Sequence, residues 1–207
     1  MRLSVNSGLI EGDLVVPDRA RGVVVFAHGS GSSRHSARNK HVAEALRAGG
    51  FGTLLFDLLT AAEEREDERT RALRFDIDLL AARLAVVTDA LGGEPSARGL
   101  PLGYFGASTG AAAALSATAV RADVRAVVSR GGRPDLAGDA LGRVTVPVLL
   151  IAGELDREVL ALNRGAQALL GGPNELVIVP GATHLFEESG ALEEVARLAA
   201  RHFTRYL

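Results

Sequence analysis

The chain has 207 residues, a length that favours one compact domain, so we expect a single domain over residues 1–207. Its net charge of −2 supplies no broad positive field, which argues against nucleic acid or an anionic membrane as a partner. The chain has no cysteine, which excludes disulfides, cysteine-based zinc sites, iron–sulfur clusters and a thiol nucleophile.

The predicted elements begin after an N-terminal stretch that lacks the apolar run of a secretion signal, so we expect a cytoplasmic protein. From there, short apolar runs rich in β-branched residues alternate with longer stretches of helical periodicity. An edge hairpin strand is predicted over 12–18, where Pro17 ends the capacity to pair. Six buried strands are predicted over 22–29, 51–57, 102–107, 124–129, 147–153 and 175–181.

Helical patterns fill the gaps between these strands. Residues 36–48 carry an apolar side and end at two glycines, a helix C-terminal signal. Apolar residues spaced alternately by four and three from Leu73 to Leu91 predict a helix that lies on a sheet. The charged stretch 62–71 is interpreted as a solvated loop or an exposed turn of helix. Further helices are predicted over 109–121, 157–170 and 189–205.

The uncharged segment 99–120 is long enough to span a membrane. It is poor in large aliphatic side chains, and it contains Pro101 and four glycines. A buried strand followed by a buried helix of small residues therefore fits this segment better than a membrane span.

Strands that are apolar on both faces and alternate with helices predict an α/β fold. We expect a mostly parallel, twisted sheet of about seven strands with helices on both faces. Ligands bind such sheets in the crevice at the carboxyl ends of the strands, so functional residues are expected directly after the strand runs.

The first such residue is Ser108, which lies between Gly106 and Gly110 after the strand at 102–107. The glycines leave room for a sharp strand-to-helix turn that exposes the serine hydroxyl at a helix N-terminus. The alternative is that the glycines only let the helix pack on the strand. The position of the G-x-S-x-G pattern between a strand and a helix favours a nucleophile.

A serine hydroxyl needs a base, and His184 follows the strand at 175–181. His41 and His202 lie within predicted helices, and His35 lies in the loop before the first helix. His184 is therefore the predicted base, because it is the histidine that follows a strand at the carboxyl edge of the sheet and has no other assigned role.

The base needs an acid that orients it, and Asp156 follows the strand at 147–153. Glu154 in the same loop and Asp57 at the end of its own strand are the competing acids. We choose Asp156 because a helix and the next strand then bring His184 back to the same edge of the sheet. The order Ser, Asp, His is the one expected with a G-x-S-x-G turn.

Acyl transfer also needs hydrogen-bond donors for the oxyanion of the tetrahedral intermediate. The backbone N–H groups of Thr109 and Ser30 are the predicted donors, with Gly31 as the alternative to Ser30. The loop after the first buried strand reads HGSGSS and lacks the nucleotide-binding patterns G-x-x-x-x-G-K-[ST] and G-x-G-x-x-G. The expected site-lining residues are His28, which braces the loop, Gly31, Arg34 and His35.

The motifs HGSGSS, GASTG, GELD and PGATH follow one another in this order over nearly the whole chain. With them the chain resembles the α/β-hydrolase superfamily, and it is most similar to the dienelactone-hydrolase-like branch of small bacterial serine hydrolases. The resemblance implies an α/β-hydrolase fold and no metal or organic cofactor. Dienelactone hydrolase itself uses a cysteine nucleophile, so this chain is expected to be a serine esterase rather than to act on dienelactone.

Lid domains of such hydrolases usually follow the strand that here ends at 129, and residues 130–145 leave room for only a loop and a short helix. We therefore expect a minimal lid or none, and a shallow site suited to small short-chain esters. Arg34, Arg130 and Arg133 are candidates for contacting an acidic substrate, with ordinary surface arginines as the alternative.

The resemblance thus implies a carboxylesterase that works through an acyl-enzyme. The same triad would also serve a thioesterase, lactonase, peptidase, acyltransferase or perhydrolase. The alternative from another class is a non-catalytic ligand-binding protein on the hydrolase fold. The expected partner is a small-molecule ester, with no nucleic acid or membrane, in a monomer or small homo-oligomer.

Overall fold

The computed structural model describes all residues 1–207 and contains one eight-stranded sheet. Its strands are β1 (Arg2–Val5), β2 (Gly8–Val15), β3 (Val23–Ala27), β4 (Gly52–Phe56), β5 (Leu102–Ala107), β6 (Val124–Arg130), β7 (Val148–Gly153) and β8 (Asn174–Val179). They lie in the order β1-β2-β4-β3-β5-β6-β7-β8. Strands β3 to β8 are parallel, and β1 and β2 form an antiparallel edge.

Helices connect the parallel strands, and a last helix follows β8. They are α1 (Ala37–Ala48), α2 (Ala61–Thr70), α3 (Ile77–Leu91), α4 (Thr109–Thr118), α5 (Arg157–Leu169) and α6 (Ala191–Tyr206). Two 3₁₀ segments cover Leu73–Phe75 and Pro134–Arg143. None of these helices combines the length and the apolar character that crossing a bilayer requires.

An apolar cluster covers each face of the sheet. Val23 and Val25 of β3 pack with residues of α3 and α4, whereas Val24 and Phe26 pack with residues of α1 and α6. This alternation follows from the two-residue side-chain period of a strand. The prediction of a mostly parallel sheet with helices on both faces is confirmed.

The sheet has one strand more than the roughly seven that the parallel-sheet pattern predicted. The additional strand is β1, which pairs with β2 from Arg2 opposite Glu11 to Val5 opposite Gly8. Its side chains alternate between exposed and half-buried, so no apolar run marks it. A strand at the sheet edge with one solvated face gives a weaker pattern than a central strand.

Of the two alternatives for the stretch 62–71, the structure has the exposed helix, and the helix predicted from Leu73 begins later. The charged stretch 62–71 lies mostly in α2, where Thr60 and Glu63 form a capping box that satisfies the first free N–H groups of the helix. The pattern from Leu73 is interrupted at Asp76, whose side chain accepts from the N–H of Leu79 at 3.0 Å and so begins α3.

The connection from β6 to β7 holds only the short 3₁₀ segment Pro134–Arg143, so the prediction of a minimal lid is confirmed. The uncharged segment 99–120 forms all of β5 and all of α4, whose residues are almost all buried. The interpretation of that segment as a core strand and a core helix is therefore correct.

Candidate active site

Ser108 occupies the sharp turn between β5 and α4, with φ 51° and ψ −122°. The backbone of this turn is fixed on both sides, by the last residue of β6 and by the segment after it. The N–H of Ser108 donates to the carbonyl of Arg130 at 3.2 Å, and the carbonyl of Ser108 accepts from the N–H of Arg133 at 3.0 Å. The turn therefore has a defined position relative to the neighbouring strand end.

The two glycines of the pattern are required because helix and strand backbones approach each other closely there. A Cβ added at Gly106 would lie 2.7 Å from the backbone nitrogen of Ala111, and one at Gly110 would overlap the carbonyl oxygens of Ala27 and His28. Helix α4 thus packs directly against the ends of β5 and β3. This contact explains why small residues surround the serine.

Asp156 and His184 are brought together by the loops after β7 and β8. Nδ1 of His184 lies 2.6 Å from Oδ2 of Asp156. The Asp156 side chain is 14% exposed and the His184 side chain 38% exposed. With Nδ1–H donated to the carboxylate, Nε2 carries the lone pair that accepts a proton.

The end of β6 contacts both the Ser108 turn and the imidazole of His184. The carbonyl of Arg130 holds the Ser108 turn, and a Cβ added at the next residue, Gly131, would lie 3.6 Å from Cε1 of His184. The imidazole and the serine turn therefore lie at the same strand end. Ser108, Asp156 and His184 all follow strands at the carboxyl edge of the sheet.

The two competing acids have other partners. Asp57 accepts from the backbone N–H of Arg34 at 2.8 Å and pairs with its guanidinium. Glu154 accepts from the N–H of Gly181 at 2.8 Å and so braces the loop that carries His184. Asp156 is the acid that contacts the imidazole.

His28 links the glycine-rich loop to the end of β4. Its Nδ1–H donates to the carbonyl of Gly29 at 2.9 Å, and its Nε2 accepts from the N–H of Leu58 at 3.0 Å. Burial lowers the pKa of His28, and its hydrogen bond with Gly29 offsets only part of that effect. A neutral imidazole fits this pair of bonds, because one nitrogen donates and the other accepts.

A cavity of about 270 Å³ opens beside the glycine-rich loop. Ser30 and Thr109, the two predicted oxyanion donors, line it together with His28 and Gly31. Its remaining lining residues are Gly29, Ser32, Asp57, Leu58, Leu59, Glu64, Asp67, Glu68, Arg74 and Leu80.

The acidic wall of this cavity comes from α2, a segment the sequence interpretation left without a role in the site. Burial and the negative charges of Asp57, Glu68 and Asp67 raise the pKa of Glu64. Burial alone would raise the pKa of Asp67, but hydrogen bonds from Arg74 outweigh it and lower that pKa. The capping-box pattern at Thr60 was the sequence signal for this helix.

The arginines and the remaining histidine expected near the site have different surroundings. Neither Arg34 nor His35 is among the residues that line the cavity. Arg133 pairs with Asp135 at 2.8 Å. Arg130 is only 8% exposed, which corrects its interpretation as a surface arginine. No group of three or more potential ligand side chains is arranged to hold a metal ion.

Comparison with known proteins adds a family and two long relatives. A model described as "Dienelactone hydrolase family" matches residues 10–207. Proteins from two strains of Mycobacterium tuberculosis, each named a putative phosphoribosyl transferase, are 61% identical over 199 residues, or 96% of this chain. The chain spans only 44% of the length of those curated relatives.

Solved structures share the fold over the whole chain. The crystal structure of a dienelactone hydrolase from Anabaena variabilis is 55% identical with a TM-score of 0.96, covering 100% of this chain and 96% of that one. A cold-adapted esterase from an Arctic intertidal metagenomic library has a TM-score of 0.76 at 18% identity, covering 98% of this chain and 92% of that one. The second likeness is one of fold alone.

Proposed function

We propose that this chain, which belongs to the dienelactone hydrolase family, hydrolyses ester bonds as a serine carboxylesterase with Ser108, His184 and Asp156 as its triad. The observation that carries this proposal is the 2.6 Å contact between His184 Nδ1 and Asp156 Oδ2, beside a serine on a sharp strand-to-helix turn. The substrates are small esters with short acyl chains.

In the acylation step, the Ser108 hydroxyl attacks the ester carbonyl while Nε2 of His184 takes its proton. Asp156 holds the imidazole in the tautomer that leaves Nε2 free, and it stabilises the imidazolium that forms. The backbone N–H groups of Thr109 and Ser30 donate to the oxyanion. The proton on His184 then passes to the leaving alcohol, and an acyl-enzyme remains.

In the deacylation step, His184 takes a proton from water, and the resulting hydroxide attacks the acyl carbonyl. The same two N–H groups stabilise the second oxyanion. Ser108 then leaves with the proton that His184 returns. Every step uses groups of this chain and water alone.

The proposal of a small substrate rests on the cavity of about 270 Å³, which is lined by the proposed oxyanion donors Ser30 and Thr109 but not by the three triad residues. This is below the range of about 300–1,000 Å³ that is typical for drug-sized ligands. The short connection after β6 leaves the site without a large lid that would enclose a long acyl chain.

The name of the Mycobacterium relatives does not define a second candidate. More than half of each of those proteins lies outside the match, so the named activity has no assigned location in the part they share with this chain. The glycine-rich loop at His28 also lacks the lysine of a phosphate-binding loop.

We further propose that residues 1–207 form one domain. Both apolar clusters pack on opposite faces of a single sheet, and no strand belongs to a second sheet.

The experiment compares Ser108→Ala with Ser116→Ala, which changes a serine inside α4 and away from the turn. We expect Ser108→Ala to lower kcat for p-nitrophenyl acetate by about 10⁴-fold or more, and Ser116→Ala to match the parent. A fluorophosphonate probe is expected to label the parent and Ser116→Ala at Ser108. A parent that binds the ester without turnover or labelling would instead be the non-catalytic ligand-binding protein.

A further inference from the structure

Arg130, the last residue of β6, is a buried cation without a counterion. It is 8% exposed, it belongs to no ion pair, and neither its Nε nor its Nη1 has a hydrogen-bond acceptor in the protein. Its one hydrogen bond is weak: Nη2 donates to Oδ1 of Asn39 at 3.5 Å, which is the longest distance at which such a bond is counted. Buried charges in proteins are normally paired, so this one needs explanation.

The side chain remains charged at neutral pH. Burial and the positive charge of Arg38 lower the pKa of Arg130, but only to about 10. Loss of the proton therefore does not remove the cost of burying the charge. A buried guanidinium without a counterion destabilises the folded state, and each N–H without an acceptor adds to that cost.

The surroundings of Arg130 are also positive. Its contact Asn39 lies in the first turn of α1, a helix that has no acidic residue in that turn. That turn is the positive end of the helix dipole, and its Asn39 N–H already donates to the hydroxyl of Ser36 at 3.3 Å. Arg38 from the same turn brings a further buried Nε without an acceptor. The charge of Arg38 is already matched by Glu187 at 3.0 Å, so Arg130 stays uncompensated.

We propose that a small inorganic anion binds between the guanidinium of Arg130, Nε of Arg38 and the first turn of α1. The anion satisfies three N–H groups that lack acceptors and neutralises the one buried charge without a partner. The site is separate from the cavity of about 270 Å³, whose lining includes none of these residues. The proposed anion site is independent of the proposed ester hydrolysis.

The position of this site connects it to the loops of the active site. The backbone carbonyl of Arg130 holds the Ser108 turn, and Glu187, the partner of Arg38, lies three residues after His184. A bound anion therefore stabilises the contacts that the end of β6 and the start of α1 make with the loops of Ser108 and His184.

The experiment measures the midpoint of thermal unfolding by circular dichroism in chloride, in phosphate and in gluconate, a bulky anion, at constant ionic strength. We expect the parent's Tm to rise by about 3–5 °C when chloride or phosphate reaches ten times its dissociation constant. Arg125→Met, which removes an exposed arginine of the same strand, is expected to retain this rise.

Arg130→Met is expected to lose the rise in chloride. In gluconate it is expected to be at least as stable as the parent, because it removes a buried charge without a partner. A parent with the same Tm in all three anions would overturn the proposal. So would an Arg130→Met variant that keeps the chloride-dependent rise.

A direct measurement covers the case in which Arg130→Met does not fold. We expect the parent to broaden the chlorine NMR line of chloride, phosphate to reverse the broadening by competition, and Arg38→Met to reduce it. A line width that is the same with the parent and with Arg38→Met, and that phosphate does not change, would overturn the proposal.

Discussion

Helices α4 and α2 both border the cavity, and they are held in place by different physical means. Helix α4 has no charged residue, and nine of its residues, Thr109 among them, are buried. Helix α2 has Asp67 as its one buried residue. It is anchored by the capping box at Thr60, by the pair of Glu63 with Arg83 at 2.9 Å, and by the pair of Asp67 with Arg74 at 2.6 Å.

This difference means that the serine turn and the cavity wall are positioned independently. The serine turn at the start of α4 is positioned by steric contact of backbones, which neither pH nor salt alters. The wall formed by α2 is positioned by charges, which respond to both. Three substitutions test this division, and they are ordered by the size of the expected effect.

The largest effect is expected at the backbone contact of α4. Gly110→Ala places a Cβ on the carbonyl oxygens of Ala27 and His28, so we expect a loss of about 3 kcal/mol in the free energy of unfolding, with lower esterase activity. Urea denaturation measures it. Gly165→Ala in α5 is the matched control, because its Cβ meets nothing within 4 Å, and it should gain up to about 1 kcal/mol. Equal stabilities of the two variants would contradict steric fixation.

A smaller and local effect is expected at the buried ion pair of α2. Asp67→Asn leaves Arg74 without its carboxylate, so we expect α2 to lose about 2 kcal/mol of local stability. Hydrogen exchange of residues 61–70 measures this loss, and exchange in α4 is expected to stay unchanged. Equal loss of protection in both helices would mean that they form one cooperative unit.

The pH dependence of this ion pair follows from the direction of the pKa shift of Asp67. The pKa of Asp67 is lower in the folded chain than the ordinary value of 3.8, so the stability it contributes is fully present above that value. This stability is lost as the pH falls through the lower folded value. We expect α2 of the parent to exchange faster in that acidic range, and Asp67→Asn to show a weaker dependence that comes from the pair of Glu63 with Arg83.

The smallest effect is expected from the exposed acids of the wall. Glu68→Gln removes a negative charge from the cavity, so we expect KM for a choline ester to rise by about 2–5-fold and KM for a neutral ester of similar size to stay unchanged. Glu66→Gln is the control, since Glu66 lies on α2 outside the cavity lining. A rise with both esters would indicate a change in the shape of the wall.

The parts predictable from the sequence are those with strong local patterns. Central strands are apolar on both faces, and the rule that sites lie at their carboxyl ends led from β7 to Asp156 and from β8 to His184. The sequence therefore predicts the pairing of these two side chains, and their triad role stays a prediction.

The parts that sequence reasoning missed depend on tertiary contacts. The buried position of Asp67 and the positions of Glu64 and Glu68 on the cavity wall follow from where α2 lies, and a run of charges does not reveal which of its members is buried. Strand β1 has no apolar run and is recognisable only through its pairing with β2. Burial of Arg130 likewise depends on tertiary contacts, among them the one with Asn39 of α1.

The backbone conformation of Ser108 affects how selection acts at this position. Its φ of 51° with ψ −122° is a conformation that glycine adopts freely and that serine adopts only under strain. Ser108→Gly is therefore expected to be inactive and about 1 kcal/mol more stable than the parent, whereas Ser108→Ala keeps the strain. Urea denaturation of the two variants measures the difference. Selection for folding alone would favour glycine at this position, so a serine there records selection for reactivity against selection for stability.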